Sequence, residues 1–138
     1  FFTVYGPRQR PEMAIAKFAK LLQEGGSIPM FGDGSTARDY TYIDDIIDGV
    51  IRAMECCHGY EVYNLGESRT TTLSELISQM GEAFGVTPNI EELPLQPGDV
   101  TITYANIDKA REHLGYDPHT LVVDGLSRYA EWLRAGVR

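Results

Sequence analysis

An α+β fold in a single unit is what the sequence predicts, and three observations predict it. Apolar residues recur at helical spacing in several segments that carry start and stop signals; the β-rich runs are few, short and scattered; and no repeat, low-complexity stretch or linker divides the 138 residues. A chain of that length buries a real core without metals or disulfides. Its hydrophobic fraction of 43% and charged fraction of 23% exclude disorder as the dominant state.

The elements follow in order. Phe1 to Tyr5 is an apolar, β-rich run, and Tyr5-Gly6-Pro7 is a turn. Pro11 suits the first position of a helix whose inner face is Ala14, Ile15, Phe18, Leu21 and Leu22, stopped by Gly25-Gly26. Ile28 to Phe31 reads as a short strand, and Gly32-Asp33-Gly34-Ser35 as a tight turn into a second strand, Thr36 to Tyr42. From Asp44 to about Cys57 the spacing of Ile43, Ile46, Ile47, Val50, Ile51 and Met54 predicts a helix with one apolar face. Asp44, Asp45 and Asp48 lie elsewhere on it, mostly in the first turn, where the helix dipole favours carboxylates. Glu61 to Leu65 is a predicted strand. Thr72-Leu73-Ser74-Glu75 has capping-box spacing and opens a helix to Phe84, closed by Gly85. Asn89 to Leu93 is a further strand. Asn106 or Asp108 caps a short helix ending at Leu114-Gly115, and Thr120 is expected to cap the last, about Leu121 to Arg134.

Twenty acidic against twelve basic residues give a net charge of −8, which opposes sequence-independent binding to nucleic acid or to an anionic membrane. A phosphate-bearing ligand would have to be held by a few local arginines. No apolar run approaches the roughly twenty residues of a membrane span. Cys56 and Cys57 are neighbours and offer no disulfide framework, so a reducing, cytoplasmic setting is expected; they also lack the spaced partners of a zinc site, and no metal is expected. His58, His113 and His119 have no nucleophile at motif spacing. Because Phe1 begins a strand with no partner before it, the sequence is expected to have been cut from a longer one.

Three segments stand in order: Tyr5-Gly-Pro-Arg-Gln-Arg-Pro11, Phe31-Gly-Asp-Gly-Ser-Thr-Ala-Arg-Asp-Tyr-Thr-Tyr-Ile-Asp-Asp45 and Gln96-Pro-Gly-Asp-Val100. With Tyr63-Asn64-Leu65-Gly66 and the stretch from Lys109 to Tyr116, they resemble the extended short-chain dehydrogenase/reductases acting on nucleotide sugars, most closely the UDP-glucuronate 4-epimerases. The resemblance implies that residues 1–138 are the small carboxyl-terminal substrate-binding domain, residues 1–7 a late Rossmann strand, and the amino-terminal NAD-binding domain absent. In that family a Tyr-x-x-x-Lys pair acts with NAD on the sugar hydroxyl. None of the eight tyrosines here has lysine four residues on, and no glycine-rich dinucleotide turn opens the chain, so the chain alone is expected to be inactive, with no catalytic residue of its own.

The resemblance implies roles residue by residue. Arg38 reaches the diphosphate of a UDP-sugar, for which a guanidinium offers paired donors. Arg10 contacts the sugar carboxylate or an adjacent phosphate. Phe31 lies at the uracil, and Gln96 gives a neutral hydrogen bond where relatives often carry a base. Asp99 binds a ribose hydroxyl or orients Arg38. Phe1 and Phe2 run beside the nicotinamide of NAD, and the Thr3 hydroxyl meets the sugar. The implied activity of the whole protein is NAD-dependent 4-epimerisation of a UDP-hexuronate in a homodimer joined through the missing domain. UDP-glucose 4-epimerases, nucleotide-sugar 4,6-dehydratases and glucuronate decarboxylases are rivals on the same scaffold; a stand-alone, non-catalytic nucleotide-sugar-binding module is a rival of another class.

Overall fold

Two apolar surfaces organise the computed structural model, which describes residues 1–56 and 58–136. The chain runs β1 (Thr3–Tyr5), α1 (Ala14–Glu24), β2 (Ser27–Phe31), β3 (Ala37–Arg38), β4 (Tyr40–Tyr42), α2 (Ile43–Cys56), β5 (Thr71–Thr72), α3 (Leu73–Phe84), β6 (Asn89–Leu93), α4 (Asp108–Leu114) and α5 (Val122–Arg134). The larger core gathers Phe18 of α1, Ile28 of β2, Leu76 and Met80 of α3, and Leu126 and Tyr129 of α5. The smaller one joins Ile46 of α2 to Leu65, Ile107, Leu114 and Tyr116. The strands form three two-stranded sheets: β1 with β4 and β2 with β6, both parallel, and β3 with β5, antiparallel. The α+β expectation of short, scattered strands holds.

Local signals set several boundaries as expected. Thr72 accepts from the Glu75 backbone N–H while the Glu75 carboxylate accepts from the Thr72 N–H, a closed capping box at the start of α3. Gly25, Gly85 and Gly115 end α1, α3 and α4 in the left-handed conformation. Neither Asn106 nor Asp108 is the cap of α4, whose N-cap position is Ile107; Asn106 accepts from the Asp108 N–H at 3.0 Å in the turn just ahead of it.

Other expectations give way to tertiary contacts. α1 starts at Ala14 rather than Pro11, because Met13 is extended and its N–H closes a turn on the Arg10 carbonyl. Phe1 and Phe2 precede β1 instead of belonging to it. The expected strand from Thr36 to Tyr42 breaks at Asp39, with its two halves paired in different sheets, and β2 pairs with β6 rather than across the glycine turn. Glu61 to Leu65 forms no strand, because no neighbouring strand pairs with it among the described residues; hydrogen bonds from Asn64 to the Asn106 carbonyl and from Tyr116 to the Gly66 carbonyl hold this segment instead. Thr120 does not cap α5, which starts at Val122; the Thr120 N–H donates to the buried Asp45 carboxylate at 3.0 Å. Cys57, the expected end of α2, lies outside the described residues.

α2 also departs from its expected single apolar face. Asp45, Ile46 and Gly49 turn inward, and a methyl group at Gly49 would run into Leu65 and Tyr116. Ile47, Ile51 and Met54 are instead 47%, 49% and 80% exposed, an apolar strip on the outside of the helix.

Asp39 explains the broken strand. It is fully buried, and one carboxylate oxygen accepts from the Glu67 N–H and the Thr41 hydroxyl, the other from the Ser68 and Ala105 N–H groups, at 2.8 to 3.1 Å. Its own N–H donates to the Thr103 hydroxyl, and its carbonyl accepts from Thr3. One side chain thus ties β4 to the segments at 66–68 and 103–105. Asp39→Ala strands these donors in the interior and is expected to lower stability by about 3 kcal/mol or more. Urea unfolding followed by the fluorescence of Trp132, the single tryptophan, which stacks on Tyr129, measures this directly.

Glu67 is the second buried carboxyl of this corner, 3% exposed. One oxygen pairs with Arg69, and the other has no hydrogen-bond partner. Burial pushes its pKa up to about 7 despite the opposing pull of Arg69. The folded chain therefore holds this proton more tightly than the unfolded chain, so the Glu67 contribution to stability is full below about pH 4.5 and is lost as pH rises through 7. Between pH 5 and 8 the unfolding free energy of the native chain should fall, relative to Glu67→Gln, by on the order of 2 to 3 kcal/mol. Parallel urea titrations of both proteins across that range provide the measurement.

Candidate functional site

Parallel pairing of β2 with β6 brings Phe31 and the loop after Leu93 out at the same end, since Phe31 registers with Leu93 and the Gly32 N–H donates to the Leu93 carbonyl at 2.8 Å. Leu95 then packs so closely on Gly32 that a side chain there would collide with it. The loop continues past Gln96 and Asp99 and runs beside β3, where the Ala37 N–H donates to Thr101 and the Ala37 carbonyl accepts from Thr103. The result is a cleft of about 430 Å³ in which Phe31, Arg38, Gln96 and Asp99 share the walls with Lys17 and Tyr40.

Arg38 is aimed there by strand alternation, because Asp39 takes the inward position. Its guanidinium makes one hydrogen bond, to the carbonyl of its neighbour Ala37 at 2.9 Å, and among the described residues no carboxylate lies within 4.0 Å of it. Asp99 is exposed, its N–H closing a turn on the Gln96 carbonyl, and forms no ion pair with Arg38. Of the two readings of Asp99, direct orientation of Arg38 has no contact behind it. Burial pushes the Tyr40 hydroxyl above its ordinary pKa, so it is a proton donor rather than a base at neutral pH. Two cations and two carboxylates, Glu12 and Asp99, line the cleft together with a phenol and an aromatic ring, a mixed polar surface in which Arg38 offers paired donors to an anionic group.

Two more cavities adjoin this one. Arg38, Tyr40 and Ala14 also border a space of about 140 Å³ reached by Thr3 and Gln9. Gln9, Tyr5 and Met13 in turn border a third, about 350 Å³, whose walls include Phe1, Phe2 and Arg10. The eight residues singled out from the sequence thus fall along one track: Phe31, Gln96 and Asp99 at one end, Arg38 and Thr3 in the middle, and Arg10, Phe1 and Phe2 at the other. Arg10 is largely exposed, 3.4 Å from Glu12, and does not meet Arg38 in one cavity. Phe1 is 74% exposed, while Phe2 packs on the smaller core.

Lys17 and Gln9 escaped the sequence reading. The signal for Lys17 was a cation one residue before the buried Phe18, on a helix that starts later than its proline suggested. Gln9 carried no signal beyond its place between two arginines. Among the described residues no group of three His, Cys, Asp or Glu is placed to hold a metal ion, and no helix is long and apolar enough to cross a membrane.

Residues 1–66 match the model of the NAD dependent epimerase/dehydratase family. A UDP-glucuronate 4-epimerase of Thermodesulfobacterium geofontis is 38% identical over 138 residues, which is 99% of this chain and 42% of the relative. The crystal structure of UDP-glucuronic acid 4-epimerase from Bacillus cereus in complex with UDP-glucuronic acid and NAD superposes with a TM-score of 0.90 at 36% identity, covering 99% of this chain and 44% of that one. The UDP-glucose 4-epimerase of Thermotoga maritima with UDP-glucose gives 0.90 at 34% identity, covering 99% and 45%. The chain therefore spans less than half the length of these proteins. The chain is thus similar to the NAD dependent epimerase/dehydratase family over residues 1–66, and over nearly its whole length to epimerases of the extended short-chain dehydrogenase/reductase type.

Proposed function

We propose that this chain is the nucleotide-sugar-holding part of an NAD-dependent 4-epimerase whose substrate is a UDP-hexuronate. The observation that carries the reading is the cleft whose walls bring together Phe31, Arg38, Gln96 and Asp99, distant in sequence, with no carboxylate paired to the Arg38 guanidinium among the described residues. Uracil lies against Phe31, where an aromatic face suits a flat base. The diphosphate sits on Arg38, with Lys17 as a second cation, and Asp99 takes a ribose hydroxyl. The sugar extends past Thr3, and its carboxylate meets Arg10, whose bond to Glu12 is exposed and therefore weak.

NAD, when bound, takes a hydride from the sugar and returns it. The residues here fit that group only at its margin. Phe1 and Phe2 offer an apolar wall for a nicotinamide ring, but α1 opens at Ala14 behind Pro11 and Met13, with no glycine-rich turn to cradle a dinucleotide diphosphate. In this reading residues 1–7 continue the strand layer of a nucleotide-binding domain, and that domain supplies the Tyr-x-x-x-Lys pair, the main NAD contacts and the homodimer contact. The work of the present residues is to hold base and diphosphate fixed while the oxidised sugar turns, which is orientation rather than bond-making.

Calorimetric titration with UDP, UDP-glucose and UDP-glucuronate tests this. UDP is expected to bind saturably, and Arg38→Ala to weaken it about 10- to 100-fold through the lost charge-assisted hydrogen bonds. Arg10→Ala should remove the preference for UDP-glucuronate over UDP-glucose and leave UDP unchanged. A folded chain that binds no UDP compound, or binds it equally well without Arg38, contradicts the proposal.

A further inference from the structure

Gln9 has no role in the reading above, yet its chemistry is unfinished. Both polar atoms of its side-chain amide, Nε2 and Oε1, are shut off from solvent and neither has a hydrogen-bond partner. A buried amide without partners is costly and therefore rare. The residue is held firmly at its backbone: its N–H donates to the Gly6 carbonyl at 3.2 Å, and Arg8 before it takes a left-handed φ of 63°. It stands in the wall shared by the Thr3–Arg38 cavity and the Arg10 cavity, between the residues assigned to the diphosphate and those assigned to the carboxylate. No charged group is hydrogen-bonded to it, and of the other residues common to both walls Val4 and Met13 carry no hydroxyl or amide while the Tyr5 hydroxyl donates to the Val122 carbonyl.

We propose that the Gln9 amide is a specificity-determining contact for the hydroxyl groups of the sugar ring, an inference that rests on the UDP-sugar reading. A carboxamide presents one acceptor and a donor pair side by side, which complements two neighbouring hydroxyls: one donates to Oε1 and the other accepts from Nε2. Both hydrogen bonds form when the sugar enters and the amide turns toward the cavities it borders. The contact distinguishes hydroxyl-bearing sugars from the bare nucleotide and contributes nothing to the grip on base or diphosphate.

Titrations of the chain with UDP, UDP-glucose and UDP-glucuronate, using the native protein and Gln9→Met, separate the possibilities. Methionine keeps length and flexibility but has no amide. The assignment predicts about tenfold weaker binding of both UDP-sugars with UDP unchanged, and the unchanged UDP affinity is itself the check that the variant is folded. If Gln9→Met does not fold, Gln9→Leu, which also removes the amide and adds no charge, is measured in the same way with the same expectation. UDP-sugar affinities that stay unchanged, or that fall no further than that of UDP, overturn the Gln9 assignment while leaving the nucleotide-sugar reading in place. Native protein that binds no UDP compound overturns both.

Discussion

A carboxylate with no access to water persists in a fold only where donors surround it, and the position of Asp39 therefore dictates much of what lies around it. Its two oxygens take two backbone N–H groups from 67–68, one from Ala105 and the Thr41 hydroxyl. To reach them, the strand expected over Thr36 to Tyr42 must break, leaving β3 and β4 in different sheets. Gly66 follows from the same constraint, since a side chain there would crowd Asp39 and Ala105. Arg38 is the outward consequence: with Asp39 inward, its guanidinium turns to the cleft. A structural carboxylate and a cleft-facing cation are thus neighbours on one stretch of chain.

The features legible in the sequence were those settled within a few residues. The capping box at Thr72, the glycine stops at 25, 85 and 115 and the amphipathic helices are local bargains between side chain and backbone. Features missed were decided at long range. The parallel pairing of β2 with β6 joins segments some sixty residues apart and left no mark in the glycine turn after Phe31. Thr120 looked like a cap because threonine suits one, but Asp45 claims its N–H. α2 shows the converse: its apolar spacing was read correctly as helical, while the burial of Asp45 and Gly49 rotated part of its apolar face outward.

The candidate site was readable as a set of residues but not as a shape. Motifs named Phe31, Arg38, Gln96 and Asp99, and the fold brings them into one cleft. Arg10, Phe1 and Phe2 came from the same reading, yet they line a separate cavity joined to the cleft only through the one beside Thr3. That length suits an elongated ligand with a base at one end and an acid at the other. In the proposed reading a chain with net charge −8 holds phosphate through local cations, Arg38 and Lys17, neither of which has a carboxylate bound to it among the described residues.

The central claim concerns direction as much as binding: base at Phe31, diphosphate at Arg38, sugar acid toward Arg10. A crystal structure of the chain with UDP-glucuronate tests it most directly. The account predicts uracil beside Phe31, phosphate oxygens within hydrogen-bond reach of Arg38 and the hexuronate running past Thr3 to Arg10; a nucleotide seated in reverse, or lodged away from Arg38, would contradict it.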